Sequence, residues 1–384
     1  MAVRIVRQAN QIALIGAPTS AAAHGPGVER APAALRAAGL IERLRAVGFE
    51  VTDLGDSTPE LYQPDDESPR ARNLPRVLAT LNVLRTRVEQ AVKSGALPVI
   101  LGGDCTIALA TLAGLRRYYR HVSLLYFDRD ADLNVPATSP SGCLHGMVVS
   151  HATGHGAPEL VRFWNEPPLV REPDVALFGL DRLDPPERQA LERSPMLRYT
   201  AAQIQQRGAA DAAATALERI HGTLREFVLH LDVDVISSED FQACDFPAAG
   251  GLRAHEVRQA LETFLRAPRL AALEITEYNP DRDLDSSGAR LLVDLLASAA
   301  AARREALAAP QAAAVAAGST DSDQARAGAA EPGGAPQVAP ELVESSNVAP
   351  AAEVASASPQ QPPTAEAGGA GTLPEGPAEQ ASEE

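Results

Sequence analysis

The chain alternates short apolar runs with longer segments whose apolar residues recur at helical spacing. Aliphatic runs of five or six residues predict buried strands at 11–16, 49–54, 97–101, 122–127, 175–180, 227–231 and 270–275. Helical spacing between them predicts helices at 30–45, 74–94, 106–119 and 286–308. Regular alternation of this kind predicts an α/β fold in which helices cover both faces of a doubly wound, mostly parallel sheet.

The last part of the chain lacks any such pattern. From residue 309 onward the composition is Ala, Pro, Gly, Ser, Glu and Gln with almost no aromatic residues, which predicts a disordered tail over 309–384 and one folded domain over 1–308. Residues 318–384 carry −10 of the formal net charge of −16, leaving −6 for the body. This balance argues against nucleic acid as a partner.

Cysteine count and hydropathy indicate the compartment. Three cysteines in 384 residues do not form a disulfide framework, which favours a reducing environment. The sequence contains neither an apolar run of about 18 residues nor a signal-peptide pattern, so we expect a cytoplasmic protein that does not insert into membranes.

Acidic residues follow several predicted strands directly. Asp128, Asp130 and Asp132 come after one strand, and Asp232 and Asp234 end another. Because the carboxyl ends of parallel strands meet at one edge of a sheet, these carboxylates should converge there. They would repel one another unless a cation lies between them, so the sequence predicts a site for hard divalent ions.

The motifs occur in the order found in the ureohydrolase superfamily, which includes arginase and agmatinase. The resemblance runs from about residue 12 to residue 296 and includes GGDCTIALATLAG, DRDADLN, TSPSGCLHGM, GLDRLDPPE, LDVDV and EYNP. It implies an arginase-like, three-layer α/β/α fold. It also implies a pair of manganese ions that activate water for attack on a guanidinium carbon, releasing urea and an amine.

The resemblance also implies roles for individual residues. Asp128 and Asp232 would bridge the metals, Asp132 and Asp234 would be terminal ligands, and Asp132 could also accept a proton. His145 matches the proton-shuttling histidine, and Glu277 matches the carboxylate that pairs with the substrate guanidinium. The positions that match the substrate-binding loops are Asn134, Ser141, Cys143, Asp184 and Phe246.

Two ligand positions depart from the family pattern. Cys105 and Asp130 stand where the family has metal-binding histidines. With two divalent cations, the five aspartates would leave a net charge of −1, and a Cys105 thiolate would make it −2. Alternatively, the site holds one ion, for which the thiolate favours zinc over manganese, and nickel is a further candidate. No histidine other than His145 is assigned a role.

Two substitutions affect the expected substrate. Cys143 and Phe246 stand where arginases carry an asparagine and a threonine, and a Phe side chain cannot form the hydrogen bond that a Thr would give a guanidinium. Arginine is therefore only the nominal substrate, and another guanidino compound or an amidine remains open.

These observations predict a metal-dependent hydrolase of C–N bonds in linear amidines. The alternative is a catalytically silent subunit that has lost its histidine ligands. A third hypothesis, a metal-binding or redox-sensing protein, rests on the three cysteines. By resemblance, we expect a homo-oligomer, trimeric or hexameric, or a hetero-oligomer with a paralogue.

Overall fold

The computed structural model describes residues 5–221 and 225–318. The strands are β1 (Gln11–Ala17), β2 (Glu50–Asp56), β3 (Leu97–Gly102), β4 (Val122–Phe127), β5 (Val175–Leu180), β6 (Leu197–Thr200), β7 (Glu226–Asp232) and β8 (Leu270–Thr276). They form one sheet in the order β2-β1-β3-β8-β7-β4-β5-β6, and every paired strand is parallel. The predicted fold class is confirmed. Edge strand β6 was not predicted, because its four residues are mostly part-exposed and carry no apolar run.

Helices cover both faces of this sheet. They are α1 (Ala31–Ala37), α2 (Leu40–Ala46), α3 (Leu74–Ser94), α4 (Ile107–Arg116), α5 (Val148–Ala152), α6 (Pro158–Val161), α7 (Pro185–Arg193), α8 (Ala201–Arg207), α9 (Ala209–His221), α10 (Ala254–Arg266) and α11 (Ser287–Gly318). The helix predicted over 30–45 is two helices, because Gly39 adopts a left-handed conformation with φ of 86° between them.

The last helix extends beyond its predicted end. Helix α11 continues to Gly318, so residues 309–318 are helical rather than part of a disordered tail. The rest of the predicted tail, residues 319–384, lies outside the described residues. Within the described part of the chain, no helix combines the length and the apolar character needed to span a membrane.

Each face of the sheet has its own hydrophobic core, because alternate side chains of a strand point in opposite directions. On β4, Leu125 and Phe127 pack into the core beneath α1, α2 and α8–α11, whereas Leu124 and Tyr126 pack into the core beneath α3–α6. All four side chains are fully buried. Such two-sided burial explains why the strands appear in the sequence as continuous apolar runs.

The strand order determines where a functional site can form. Strands β3, β8, β7, β4 and β5 are consecutive neighbours, and each is followed by at least one of the predicted site residues. Their carboxyl ends form a continuous edge at the centre of the sheet. Loops that are far apart in sequence therefore meet there.

Gly103 allows the loop after β3 to pack against the loop after β1. A Cβ atom at this position would lie 1.8 Å from the carbonyl oxygen of Thr19. The same loop is held by hydrogen bonds from the Gly103 N–H to Ala17 and from the Glu277 N–H to the Gly103 carbonyl. The positions of this loop and of Cys105 therefore depend on the absence of a side chain at Gly103.

We predict that Gly103→Ala lowers the free energy of unfolding by about 1–3 kcal/mol, because backbone must move to admit the methyl group. Urea denaturation followed by circular dichroism measures the change. Gly25→Ala is the matched control, since a Cβ there has no atom within 4 Å. Equal stability of the two variants would show that the close approach is unimportant.

Candidate metal centre and active site

The two Asp-x-Asp pairs are built by the same local turn. Asp128 follows β4, and its Oδ1 accepts a hydrogen bond of 2.8 Å from the Asp130 N–H. At the end of β7, Asp232 Oδ1 accepts an equivalent bond of 2.8 Å from the Asp234 N–H. The carboxylates converge because the chain turns at the strand end, and not because the strand continues. Asp128, Asp232 and Asp234 therefore converge at the carboxyl ends of neighbouring strands, as the sequence predicts.

Cys105 lies in the tight loop between β3 and α4. Buried Asp104 fixes this loop by accepting hydrogen bonds from the Thr106 N–H at 3.1 Å and the Ala22 N–H at 3.1 Å. The Cys105 thiol is thereby held 3.1 Å from Asp232 Oδ2, to which it donates. The Cys105 N–H donates to Glu277 at 3.3 Å. One loop thus connects residues that follow β3, β7 and β8.

Three overlapping groups of side chains can hold a metal ion. They are Cys105–Asp128–His230, Cys105–Asp232–Glu277 and Asp128–Asp232–Asp234, and within each group the ligand atoms lie within 4.8 Å of one another. Four of the six predicted ligands belong to these groups. The other two, Asp130 and Asp132, line the same cavity but are in none of the three groups found among the described residues.

Asp132 is held at the cavity wall by hydrogen bonding and by an unusual backbone conformation. The Tyr126 hydroxyl donates to Asp132 Oδ2. Both Asp132 and Glu277 have left-handed backbones, with φ of 48° and 62°. Such conformations cost free energy in residues other than glycine and cluster at functional sites. The orientation of these two carboxylates toward the cavity is therefore associated with local backbone strain.

Asp130, a predicted metal ligand, is paired with an arginine at the wall of the cavity. Arg182 Nε lies 2.7 Å from Asp130 Oδ1, and Arg182 Nη2 also contacts Asp130. The same Nη2 donates to Asp234 Oδ2 at 2.9 Å. The guanidinium of Arg182 lies over the ring of Phe246, with 5.9 Å between Cζ and the ring centroid. This structure therefore corrects the predicted surroundings of Asp130, since a positive charge from the protein itself lies between two predicted metal ligands.

Arg129 makes its contacts outside the described lining of the cavity. Its guanidinium is buried, pairs with Asp181 and donates to the carbonyl oxygens of Ala248 and Ala249. Arg129 therefore fixes the neighbouring loop and leaves the cavity to the aspartates.

Electrostatics favour a cation in this cluster. Burial raises the pKa of Asp128 and Asp232 well above the ordinary value, and neighbouring aspartates raise it further. Burial and the Asp130 charge raise the pKa of Asp234 to about 7. Asp234 Oδ1 is buried without a hydrogen-bond partner. Buried carboxylates need proton donors or cations, so the donor set fits a bound divalent ion.

His145 and Glu277 form an ion pair that faces the aspartates. His145 Nδ1 lies 3.1 Å from Glu277 Oε1. Burial alone would lower the pKa of His145, but the Glu277 carboxylate outweighs it and raises the pKa to about 10. Conversely, burial would raise the pKa of Glu277, and the His145 charge holds it below its ordinary value. The pair supplies a proton donor and an anionic group side by side.

The five aspartates of the cluster, together with Cys105, His145 and Glu277, border one cavity of about 320 Å³. Asn134 and Asp184 lie at its rim and are joined by a hydrogen bond of 3.0 Å. Ser141 and Phe246 also line it, and Phe246 is 40% exposed. Cys143 is buried and is not among the described lining residues, which differs from its predicted substrate contact.

Comparison with known proteins agrees with this architecture. The Arginase family model matches residues 10–302. The chain is 31% identical to the arginase of Bacillus caldovelox over 291 residues, covering 75% of this chain and 97% of that protein. The chain belongs to the arginase family. The arginase of Bacillus subtilis (strain 168) is 32% identical over 289 residues, with 75% and 96% covered. The crystal structure of Bacillus cereus arginase superposes with a TM-score of 0.71 at 30% identity, covering 76% of this chain and 98% of that one.

Three residues of the site were not recognised from the arginase-family motifs: His24 and Arg182 line the cavity, and His230 belongs to a possible metal-binding group behind it. His230 precedes Asp232 by two residues on β7, and that period-two spacing placed it on the same side of the strand. Arg182 lies two residues before Asp184, in a motif already singled out. His24 lies in the loop after β1, stacks edge-on against Phe246 at 4.8 Å, and gave no motif signal.

We predict that Arg182→Met lowers the free energy of unfolding by about 1–3 kcal/mol, because it leaves Asp130 and Asp234 without their counter-ion. The loss is smaller than for a fully buried pair since the Arg182 side chain is 40% exposed. Urea denaturation in the presence of a chelator measures it, and added divalent cations should reduce the loss.

The matched control for this variant is Arg253→Met. Arg253 also forms a bidentate ion pair, in which its guanidinium donates to Asp240 at 2.8 and 2.6 Å. Neither residue belongs to the described cavity lining. The loss for Arg253→Met should be smaller than that for Arg182→Met and independent of metal, because Arg253 is exposed to solvent. Identical metal responses of the two variants would contradict the assigned role of Arg182.

Proposed function

We propose that this chain is a metal-dependent hydrolase that cleaves a C–N bond of a guanidino compound or related linear amidine. The observation that carries the proposal is the His145–Glu277 pair, which faces the converging aspartates across one cavity. Membership of the arginase family supports hydrolysis of this class, and the relatives named arginase support a guanidino substrate.

Glu277 is the proposed anchor for the cationic end of the substrate. It is buried at the base of the cavity, where a carboxylate binds an amidinium strongly because little water competes. Substrate would take over part of the contact now made by His145. Asn134, Ser141 and Asp184 at the rim would bind the opposite end. Phe246 offers an apolar face there instead of a hydrogen-bonding group, so the preferred substrate need not be arginine.

Asp128, Asp232, Asp234 and Cys105 would hold the divalent ion, for which the family resemblance implies manganese and the Cys105 thiolate favours zinc. When bound, such an ion acts as a Lewis acid and makes water nucleophilic near neutral pH. Asp132 is placed to accept a proton through its carboxylate. His145 is placed to hold a proton beside Glu277 and to deliver it to the departing amine. Phe246 and His24, which stack edge-on, line the same cavity and would contact a bound substrate.

We predict that Glu277→Gln lowers kcat/KM by about 10- to 100-fold, because an amide cannot form the charge-assisted contact. His145→Asn should lower kcat by about 10²- to 10⁴-fold through loss of proton transfer. Urea and amine release from a panel of guanidino and amidine compounds, with metal-loaded full-length protein, measures both effects.

The chain offers a matched control pair. His155 and Glu172 form the same kind of contact at 3.0 Å, but the pair lies outside the described lining of the cavity. Glu172→Gln and His155→Asn should leave turnover unchanged. A loss of activity equal to that of the cavity variants would indicate general destabilisation rather than a catalytic role.

The second candidate is a catalytically silent subunit that assembles with an active paralogue. The observation that favours it is Arg182, whose guanidinium pairs with Asp130 and Asp234. A site of this kind could retain the fold while having lost the capacity for a second ion.

The double variant Cys105→His with Asp130→His separates the two candidates. If the natural chain is a hydrolase, it releases urea or ammonia from at least one compound of the panel after metal loading. If it is a silent subunit, we expect turnover only from the double variant. Product release is measured for both proteins under the same metal, with metal content determined on the same samples.

A further inference from the structure

An imidazole reaches Cys105 from the neighbouring strand. One ring nitrogen of His230 lies within 4.8 Å of the Cys105 sulfur and an Asp128 oxygen. Nδ1 of His230 is bonded to Glu274, and Nε2 lies 3.2 Å from the Thr276 hydroxyl. That hydroxyl lies 3.3 Å from Cys105 Sγ, so Nε2 is the nitrogen on the Cys105 side. The thiol and the imidazole therefore approach a common space.

The imidazole is fixed in orientation by its surroundings. His230 Nδ1 lies 2.8 Å from Glu274 Oε2, and both residues are completely buried. The His230 ring stacks on Tyr126, with ring centroids 4.3 Å apart and planes within 3° of parallel. Metal-binding histidines usually donate their other ring N–H to a carboxylate, which fixes the tautomer and increases basicity. Glu274 is in that position relative to His230.

An independent observation points to a cation in the same space. Asp234 is more than nine-tenths buried, and its Oδ1 has no hydrogen-bond partner. Asp234 belongs to the Asp128–Asp232–Asp234 group. This group shares Asp128 with the group formed by Cys105, Asp128 and His230. An unpartnered carboxylate oxygen in a buried cluster of acids is stabilised by a cation nearby.

The space beside the Asp128–Asp232–Asp234 group already contains the positive charge of Arg182. The Arg182 guanidinium donates hydrogen bonds to Oδ2 of Asp234 and to both carboxylate oxygens of Asp130. The guanidinium thus supplies charge where a second divalent ion would have used the same carboxylates. The ligand atoms that remain are the Cys105 sulfur, a His230 nitrogen and carboxylate oxygens. A thiolate and an imidazole favour zinc over manganese.

We propose that the chain binds one zinc ion through Cys105, His230 and the carboxylates of Asp128 and Asp232, with Arg182 taking the place of a second ion. This inference deepens the proposed function because it names the ion and a new ligand of the same site. Zinc binding releases the Cys105 proton to solvent, so that the thiolate bonds to the metal. The loss of a histidine at position 105 is then compensated by a histidine from β7.

Metal binding without turnover tests the proposal. Chelator-treated full-length protein is dialysed to equilibrium against zinc or manganese, and metal per chain is measured by mass spectrometry. We expect one zinc per wild-type chain. Zinc K-edge absorption should show one sulfur at about 2.3 Å and imidazole nitrogen at about 2.0–2.1 Å. A shell of oxygen atoms alone, two ions per chain, or no bound zinc would each overturn the proposal.

Glu274→Gln tests the role of His230 while all proposed ligands stay in place. Zinc affinity should fall by about 10- to 100-fold, as expected for loss of a carboxylate that supports a metal-binding histidine. Asp174→Asn is the matched control, because Asp174 is another buried carboxylate but pairs with Arg171 and Arg225 outside the described cavity lining. Equal zinc affinities in these two variants would overturn the role of His230.

Cobalt spectra test the sulfur ligand in the same way. The wild-type protein loaded with cobalt should show a thiolate-to-metal charge-transfer band, and Cys105→Ser should abolish it. Cys244→Ser should retain the band, since Cys244 is buried but belongs to none of the metal groups found among the described residues. Loss of the band in Cys244→Ser and its retention in Cys105→Ser would contradict the assignment.

Failure of this inference is distinguishable from failure of the proposed function. A chain that binds zinc through sulfur and imidazole but releases no product from the substrate panel contradicts only the proposed hydrolysis. Product release by a chain that binds two manganese ions through oxygen contradicts only the zinc site.

Discussion

Repulsion among buried carboxylates is the constraint on which this site depends. Asp128, Asp232 and Asp234 end adjacent strands, and the backbone turns that follow direct their oxygens toward one another. Carboxylates with raised pKa values are costly to keep ionised unless positive charge lies among them. The Arg182 guanidinium supplies part of that positive charge, and the proposed zinc ion held by Cys105 and His230 would supply the rest.

The substitutions relative to the family pattern form a coherent set when charge is considered. Asp130 adds a negative charge where a neutral histidine was expected, and Arg182 adds a positive charge in direct contact with it. Cys105 removes an imidazole, and His230 brings one to within 4.8 Å of the sulfur. Each change is thus accompanied by a neighbouring residue that offsets it in charge or in ligand type.

Sequence reasoning recovered the parts of the molecule that follow from local pattern. The buried strands were predictable because residues such as Leu124 and Phe127 form continuous apolar runs, and the parallel sheet follows from their alternation with helices. Convergence of the Asp-x-Asp pairs followed from strand topology. Pairing of Arg182 with Asp130 could not be predicted, because it depends on how the loops after β5 and β4 pack. His230 was missed although its spacing to Asp232 carried the signal.

The position of β8 has a consequence for how the molecule can be assembled. This strand, the last among the described residues, lies between β3 and β7 and joins β2-β1-β3 to β7-β4-β5-β6. Until it is added, both partial sheets expose an unpaired edge, which is where chains tend to aggregate. Glu277 follows the same strand, so the pocket lacks this carboxylate until β8 is in place. A nascent polypeptide released before residue 270 would contain most of the core yet lack the strand that connects its halves.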